Sequence, residues 1–366
     1  MIKILKLIAT ILLVLKSEAI AAPEKIKIGG VFSLSGWAAI GGTAESTAVK
    51  MAIEDINQQE CENCPKFELI LEDNQSEFRQ TAAAIQKLAN IDKVKFIIGP
   101  NWTEFSEVAA PLCNANKVIM LTVSGFTKTM TLDREYVFTT EPSHEVMVKP
   151  LSEQIIKANH KKIALITSVT SYFGGLSDGV RDHLKEANIK LFSDENALPD
   201  QADFRSYITR LKAAKVDAVI AMLSEGGTLV NFLKQSRELQ LSARIYTSNA
   251  VLFDPIITKE PKIAEGTTFF NLLTMATPEF MSRFEKVYGS PASDAIPRAY
   301  DGMFLIAETY RSCGDVDTLE LAKCLKKIDV RKQSGHITFD DNNMVKVEEK
   351  VSSAFIMKDG KAELLN

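Results

Sequence analysis

The sequence predicts an α/β protein of two lobes, each built on a parallel sheet with helices on both faces. Three observations lead there. Short β-branched runs alternate with longer amphipathic stretches, the alternation restarts after Pro142, and the segments following the strand-like runs are rich in hydroxyls, Gly and aromatics. The β-α-β-α rhythm is that of a parallel sheet covered on two sides. With 366 residues, 46% hydrophobic and 25% charged, the chain is long enough for two domains with separate cores.

The elements follow in order. Lys25–Phe32 reads as a buried strand running into a Ser/Gly loop, and apolar residues at Val49, Ala52, Ile53 and Ile56 recur with helical period across 45–57. A strand at Phe67–Leu71, a helix at Thr81–Asn90, a strand at Val94–Ile98, a helix at Glu104–Ala115 and a strand at Val118–Leu121 complete the first series. After Pro142 come strands at Lys162–Ile166, Lys190–Phe192, Ala218–Met222 and Ile245–Thr247, interleaved with helices at Gly175–Ala187, Phe204–Ala214 and Thr228–Glu238. Thr267–Asn271 is expected to lead back into the first lobe, where helices near 279–288, 299–311 and 319–328 add to it. His336–Phe339 and Val351–Met357 are expected to cross to the second lobe again. The division is therefore 22–141 plus 272–334 for lobe one and 142–271 plus 335–366 for lobe two. Several extended crossovers between discontinuous lobes make a hinge, because few torsions need change to open the cleft.

The first residues are expected to be removed. Lys3 and Lys6 flank the apolar run 7–15, and Ala19-Ile20-Ala21 supplies a small-residue cleavage signal, so 1–21 reads as an export signal peptide. The run is shorter than the roughly 20 residues needed to span a bilayer. Lys16 and Glu18 near its end keep an uncleaved interfacial anchor open as an alternative, while no Cys near the cleavage point offers a lipid attachment. The whole chain carries a formal charge of -4, without the basic excess of a nucleic-acid binder.

Export makes disulfides possible. Cys61 and Cys64 sit in a polar stretch and read better as a loop staple than as a redox motif. Cys313 and Cys324 bracket a Gly-Asp turn and a helix start, leaving Cys113 single in an apolar run. The four His are scattered without metal-ligand spacing, so no metal is expected, and no cofactor motif is present. Gly-x-Ser-x-Gly, Walker and Gly-x-Gly-x-x-Gly patterns are absent.

In open α/β sheets ligands bind beyond the carboxyl ends of strands. The loops 33–36, 101–103, 122–127, 167–172, 224–227 and 248–249 are therefore where solute chemistry is expected. Hydroxyls and helix-start N–H groups suit carboxylate oxygens, and aromatics suit an apolar part.

Nearly all of the chain after residue 21 resembles the periplasmic solute-binding proteins of the branched-chain amino acid (Leu/Ile/Val-binding) type, which feed ABC importers. The residues that carry the likeness are Ile26–Gly29, Leu34-Ser35-Gly36, Ala52–Asn57, Leu71–Ser76, Phe96–Pro100 with Ala109-Ala110-Pro111, Tyr172–Gly175, Ala299–Gly302 and Gly335–Asp340. The resemblance implies a type I periplasmic binding protein: two Rossmann-like lobes with parallel sheets joined by a three-crossover hinge. It further implies a monomer in the periplasm that binds a small-molecule solute, partners an inner-membrane permease and performs no catalysis.

By the same resemblance, Thr103 falls at the hydroxyl that holds a ligand carboxylate, with Trp102 beside it. Ser124, Gly125 and Thr127 lie in the loop that meets main-chain-like ligand groups, although Phe126 interrupts the usual pattern. Tyr172 is the aromatic supplied by lobe two, and Asn249 stands where amino acid binders often place an acid for the ammonium group. Asn brings no charge, and a buried ammonium without one is costly. Either Glu225 or Asp301 supplies the charge, or the solute is an aromatic or aliphatic carboxylate or an amide. Plainer roles stand beside these: Thr103 is also a good helix cap, and Asp301 and Glu225 also suit structural or solvent-facing positions. A ligand-sensing protein that presents its closed form to a receptor would share the same cleft.

Overall fold

A computed structural model describes residues 25–60, 64–127, 129–290, 293–347 and 350–365. The expected export segment at 1–21, and Cys61 of the expected Cys61–Cys64 staple, lie outside the described residues.

The first series is β1 (Ile26–Phe32), α1 (Ala39–Gln58), β2 (Phe67–Asp73), α2 (Phe78–Asn90), β3 (Phe96–Ile98), α3 (Thr103–Ala115), β4 (Ile119–Thr122) and β5 (Val137–Thr139). Its strands pair in parallel in the order β2-β1-β3-β4-β5. Strands β3 and β4 are buried from end to end, which is why they read as unbroken apolar runs rather than alternations. Gly42 lets α1 press against the loop after β1, since a Cβ there would lie 2.1 Å from the Ser33 carbonyl oxygen.

The second series is α4 (His144–Lys157), β6 (Ile163–Ser168), α5 (Ser171–Glu186), β7 (Ser193–Ala197), α6 (Arg205–Ala213), β8 (Ala218–Met222), α7 (Thr228–Glu238), β9 (Arg244–Thr247), α8 (Ala250–Phe253), α9 (Pro255–Lys259) and β10 (Thr268–Leu272). The chain then forms α10 (Pro278–Tyr288), α11 (Ala295–Cys313), α12 (Thr318–Lys326), the hairpin β11 (Asp329–Lys332) and β12 (Gly335–Thr338), and finally β13 (Ser352–Lys358) and β14 (Lys361–Leu364). The second sheet runs β14-β13-β10-β9-β8-β6-β7, parallel from β10 to β7, with β13 antiparallel to β10 and β14 to β13. The protein is thus a two-lobed α/β molecule with parallel-dominated sheets.

Helices α10 to α12 belong to the first lobe, where Phe284, Met303, Leu321 and Leu325 share a core with Ile28, Val49 and Phe96. The Cys313–Cys324 disulfide ties the end of α11 to α12 across a Cα–Cα distance of 6.6 Å. Cys113 is free and buried on α3, and burial pushes its thiol far up.

Two segments of the sequence reading differ from the structure. Lys190–Phe192 is not the strand; β7 lies just beyond it at Ser193–Ala197, with alternating burial. As an edge strand flanked only by β6 it needs no apolar run, and Phe192 instead carries the Lys162 ammonium over its ring at 5.4 Å. The run 336–339 does not cross to lobe two. β12 pairs with β11, and Ile337 and Phe339 pack in the first core, so lobe one continues past residue 335 and the crossing falls before Ser352. Helix α4 and strand β5, absent from the sequence reading, complete the passage between the sheets.

Thr140 and Pro142, Leu272–Met275, and Val345–Val347 with Val351, on the stretches that connect the sheets, line one small cavity of about 50 Å³. The three connections therefore lie side by side.

Candidate functional site

The loops after β1, β3 and β4 face the second lobe and are tied into one platform. Ser33 N–H donates to Asn101 Oδ1 and Ser33 Oγ to Asn74 Oδ1, both at 2.8 Å. Asp73 accepts from Leu34 N–H at 2.9 Å and from Ser35 Oγ at 2.7 Å, and these bonds hold its carboxyl below the usual range despite the burial that opposes them. Asn101 bridges to Ser124, joining the loop after β3 to the loop after β4.

Trp102 and Thr103 open α3. Trp102 has a φ of 70°, a region that favours glycine and costs a bulky residue about 1–3 kcal/mol. Its ring meets Trp37 edge-on at 5.1 Å. Thr103 is buried, and its hydroxyl accepts from the Phe126 N–H at 3.4 Å, so the first residue of α3 already holds the 124–127 loop. In that loop Ser124 is half-buried, Gly125 is buried, and the Thr127 Oγ1 is a buried atom without a hydrogen-bond partner. Gly125 packs so closely that an added Cβ would lie 2.4 Å from Ser106 Oγ.

Beneath this loop lies a charged floor that sequence reasoning missed. Ser124 Oγ donates to Glu45 Oε2 at 2.7 Å, from α1. Arg298, on α11, donates through Nε to the Val123 carbonyl at 2.8 Å and through Nη1 to Asp294 Oδ2 at 3.0 Å. Glu141, on the first crossover, is buried, and its Oε2 has no hydrogen-bond partner. Burial pushes the Glu45 carboxyl up to about 8 against the opposing pull of Ser124 and Arg298, and pushes Glu141 up to about 7 against Arg298. Three acids thus share one guanidinium. An Asp or Glu on an amphipathic helix is normally read as solvent-facing; the signal for Glu45 was its place beside Ala44, Ala48 and Val49 on the buried face of α1.

The second lobe closes over this floor. Tyr172 N–H donates to Glu104 Oε1 at 3.3 Å, and Ser171 Oγ donates to Glu107 Oε2 at 2.5 Å. The Tyr172 ring meets His144 edge-on at 5.2 Å, and His144 meets Phe126 of the first lobe at 5.1 Å. Gly175 leaves room for that imidazole, because a Cβ there would lie 2.0 Å from Nδ1. Desolvation raises the Tyr172 phenol well above its ordinary value, with Glu141 adding to the effect. Ser224 Oγ is buried without a partner, and Glu225 is half-buried with its carboxyl raised by desolvation. Beside these contacts, an open recess of about 510 Å³ is lined by Phe78 and Glu104 on one side and Val169–Ser171 and Pro199 on the other.

Asn249 is buried at the start of α8, directly after β9. Asp301 is differently occupied. Its carboxylate accepts from Gln333 N–H at 3.2 Å and from Ser334 N–H and Oγ at 2.6 Å each, anchoring the β11–β12 turn. Burial raises it to about 6 in spite of those bonds. Of the sequence-derived residues, Trp102, Thr103, Ser124, Gly125 and Thr127 come together on the first lobe with Tyr172 across from them, while Asp301 serves the hairpin. Among the described residues no group of His, Cys, Asp and Glu is placed to hold a metal ion, and no helix is long and apolar enough to cross a membrane.

The two α/β lobes meet through loops and helix starts that follow their strands. A family model described as periplasmic binding protein matches residues 25–350, and the chain belongs to that family. It is 24% identical over 335 residues, covering 89% of this chain and 88% of the relative, to the leucine-, isoleucine-, valine-, threonine-, and alanine-binding protein of Pseudomonas aeruginosa. Its fold is similar to that of a leucine binding protein from Thermotoga maritima, with a TM-score of 0.78, 19% identity and coverage of 93% of this chain and 98% of that one. It is also similar to a solute binding protein of an ABC transporter from Rhodopseudomonas palustris, solved with 3,4-dihydroxy benzoic acid, with a TM-score of 0.77, 22% identity and coverage of 92% and 95%. The fold is that of a type I periplasmic binding protein of the branched-chain amino acid type.

Proposed function

We propose that this protein is the periplasmic substrate-binding component of an ABC importer and captures a small amino-acid-like solute by lobe closure, without chemical change to it. The observation that carries the reading is the juxtaposition of Thr103 and the 124–127 loop on one lobe with Tyr172 on the other, linked through the Phe126–His144–Tyr172 ring contacts. The hydroxyls of Thr103 and Thr127 suit a carboxylate, Tyr172 covers the solute from lobe two, and Ser224, Glu225 and Asn249 complete the cover. A solute touching both lobes favours the closed form by its differential affinity for it. The inner-membrane permease then engages the closed monomer, and the energy for transport comes from elsewhere.

An aromatic carboxylate is the second reading, favoured by the Trp37–Trp102 contact beside Thr103 and by the Rhodopseudomonas palustris neighbour. Thermal-shift measurements against aliphatic and aromatic amino acids, benzoates, short-chain acids and amides test both, because a bound solute raises the melting temperature. A concentration-dependent rise for one class is expected. A melt indifferent to every compound would sink the reading.

A further inference from the structure

Strands β6 to β10 of the second sheet run parallel, so the loops entering them lie together at the end remote from Tyr172 and Ser224. That end is basic. Residues 157–162, 185–190 and 212–217, the helix ends and loops that lead into β6, β7 and β8, carry seven Lys against Glu186 and Asp217. Hydrogen bonds tie them into one surface. Asp217 accepts from the Lys161 and Lys162 N–H groups at 2.8 Å, which leaves its charge partly spent inside the patch. Lys162 Nζ donates to the Ala214 carbonyl at 2.8 Å, and Phe192 N–H donates to the Ile163 carbonyl at 2.7 Å.

A cation in the last turn of a helix complements the macrodipole and needs no outside partner. That accounts for Lys157, Lys185 and Lys212, in the last turns of α4, α5 and α6. It does not account for Lys161, Lys190 and Lys215, which lie beyond the helix ends, are exposed, and form no ion pair among the described residues. Lobe one is built otherwise. Its α1 and α3 carry no cation in their last turns. At the entry to β3, Lys87 pairs with Asp92 at 3.3 Å and Lys95 with Asp315 at 2.6 Å, and 133–135 ahead of β5 read Asp-Arg-Glu. A chain of formal charge -4 thus keeps a surface of one sign at one pole. Within that surface Phe192 is 49% exposed, with the Lys162 ammonium 5.4 Å over its ring. An exposed aromatic among lysines joins an apolar contact to charge attraction, the combination that seats a protein on an anionic bilayer.

We propose that this pole of lobe two docks on the headgroups of an anionic lipid bilayer, with Lys161, Lys190 and Lys215 over the phosphates and Phe192 between them. Phe192 favours a bilayer over a soluble polyanion, which would leave the ring uncovered. The six residues of β6, about 20 Å of strand, separate the pole from Tyr172, so docking leaves the solute residues untouched. The proposal stands or falls independently of the solute reading.

Co-sedimentation of the full chain with vesicles tests this, with phosphatidylglycerol mixed into phosphatidylethanolamine in one set and phosphatidylcholine alone in the other. The wild type is expected to partition onto the anionic vesicles at least about tenfold more strongly than onto the neutral ones, and to leave them at high salt. Reversing three charges together, in Lys161→Glu, Lys190→Glu and Lys215→Glu, should lower that partitioning by on the order of a hundredfold, with folding checked by the melt. Should the triple reversal not fold, the three Lys→Gln changes take its place, with an expected loss of at least about tenfold. No partitioning onto anionic vesicles, or equal partitioning onto neutral ones, overturns the proposal. So does partitioning that survives the triple change, as attachment through residues 1–21 would. A protein that binds soluble polyphosphate but not the vesicles overturns it as well.

Discussion

The two sides of the cleft are built differently. The first lobe offers a cross-tied floor, in which Ser33, Asn74 and Asn101 lock neighbouring loops and Arg298 sits buried among Glu45, Glu141 and Asp294. The second lobe offers Tyr172, Ser224, Glu225 and Asn249, with Gly226 and Gly227 at positive φ between Glu225 and α7. Polar groups fixed before a solute arrives add affinity by lowering the ordering cost of binding. The contrast is between a preset charged platform and a lighter, glycine-linked set of groups on the other lobe.

The pH dependence of stability probes that platform most strongly. The folded state holds Glu45 protonated up to about pH 8, whereas the unfolded chain gives that proton up near 4.5. The folded form therefore binds more protons across this window, and stability falls as pH rises through it. At about 1.4 kcal/mol per pKa unit the loss amounts to several kcal/mol between pH 5 and 8, with Glu141 acting in the same direction up to about 7. Urea unfolding of the unliganded protein at pH 5 and 8 measures it, and Glu45→Gln should flatten the slope. A flat wild-type profile would mean that the floor is hydrated and the contrast between lobes is wrong.

Arg298→Ala comes next. Removing the cation from a buried cluster of acids is expected to cost about 3–5 kcal/mol in urea unfolding at pH 7. A loss under about 1 kcal/mol would mean that protons alone neutralise the acids. Cys313→Ser opens a cross-link spanning 11 positions and should cost about 2–3 kcal/mol, with the early loss of structure confined to the first lobe by hydrogen exchange. For affinity, Thr103→Ala should weaken solute binding by about 1.5–3 kcal/mol, as for a hydrogen bond to a charged group, and Ser224→Ala by about 0.5–1.5 kcal/mol. Equal losses from the two would erase the distinction between platform and cover.

The alternation of strands and helices was legible because buried parallel strands and amphipathic helices leave different periods in the sequence. Thr228–Glu238 is read at its observed bounds, and 104–115 misses the start of α3 by one residue. The reading failed where burial did not set the pattern. Edge strand β7 is Ser-Asp-Glu-Asn-Ala, and β12 pairs within a hairpin whose apolar residues look like those of a crossing strand. At the site, hydroxyls after strands were visible because loop position alone implicates them. Glu141 and Arg298 were not, since their buried partners are distant in sequence, and Glu45 offered only its place on the apolar face of α1: Glu45 meets Ser124, and Arg298 meets Val123.

The core of the first lobe joins Ile28 and Val49 to Leu325, Ile337 and Phe339. A chain emerging amino end first must therefore hold its opening third unfinished until the helices from 278 onward have appeared, while most of the other half is already complete. The early portion thus stays incomplete for most of the chain's emergence, and truncation before residue 339 would leave it without its partners.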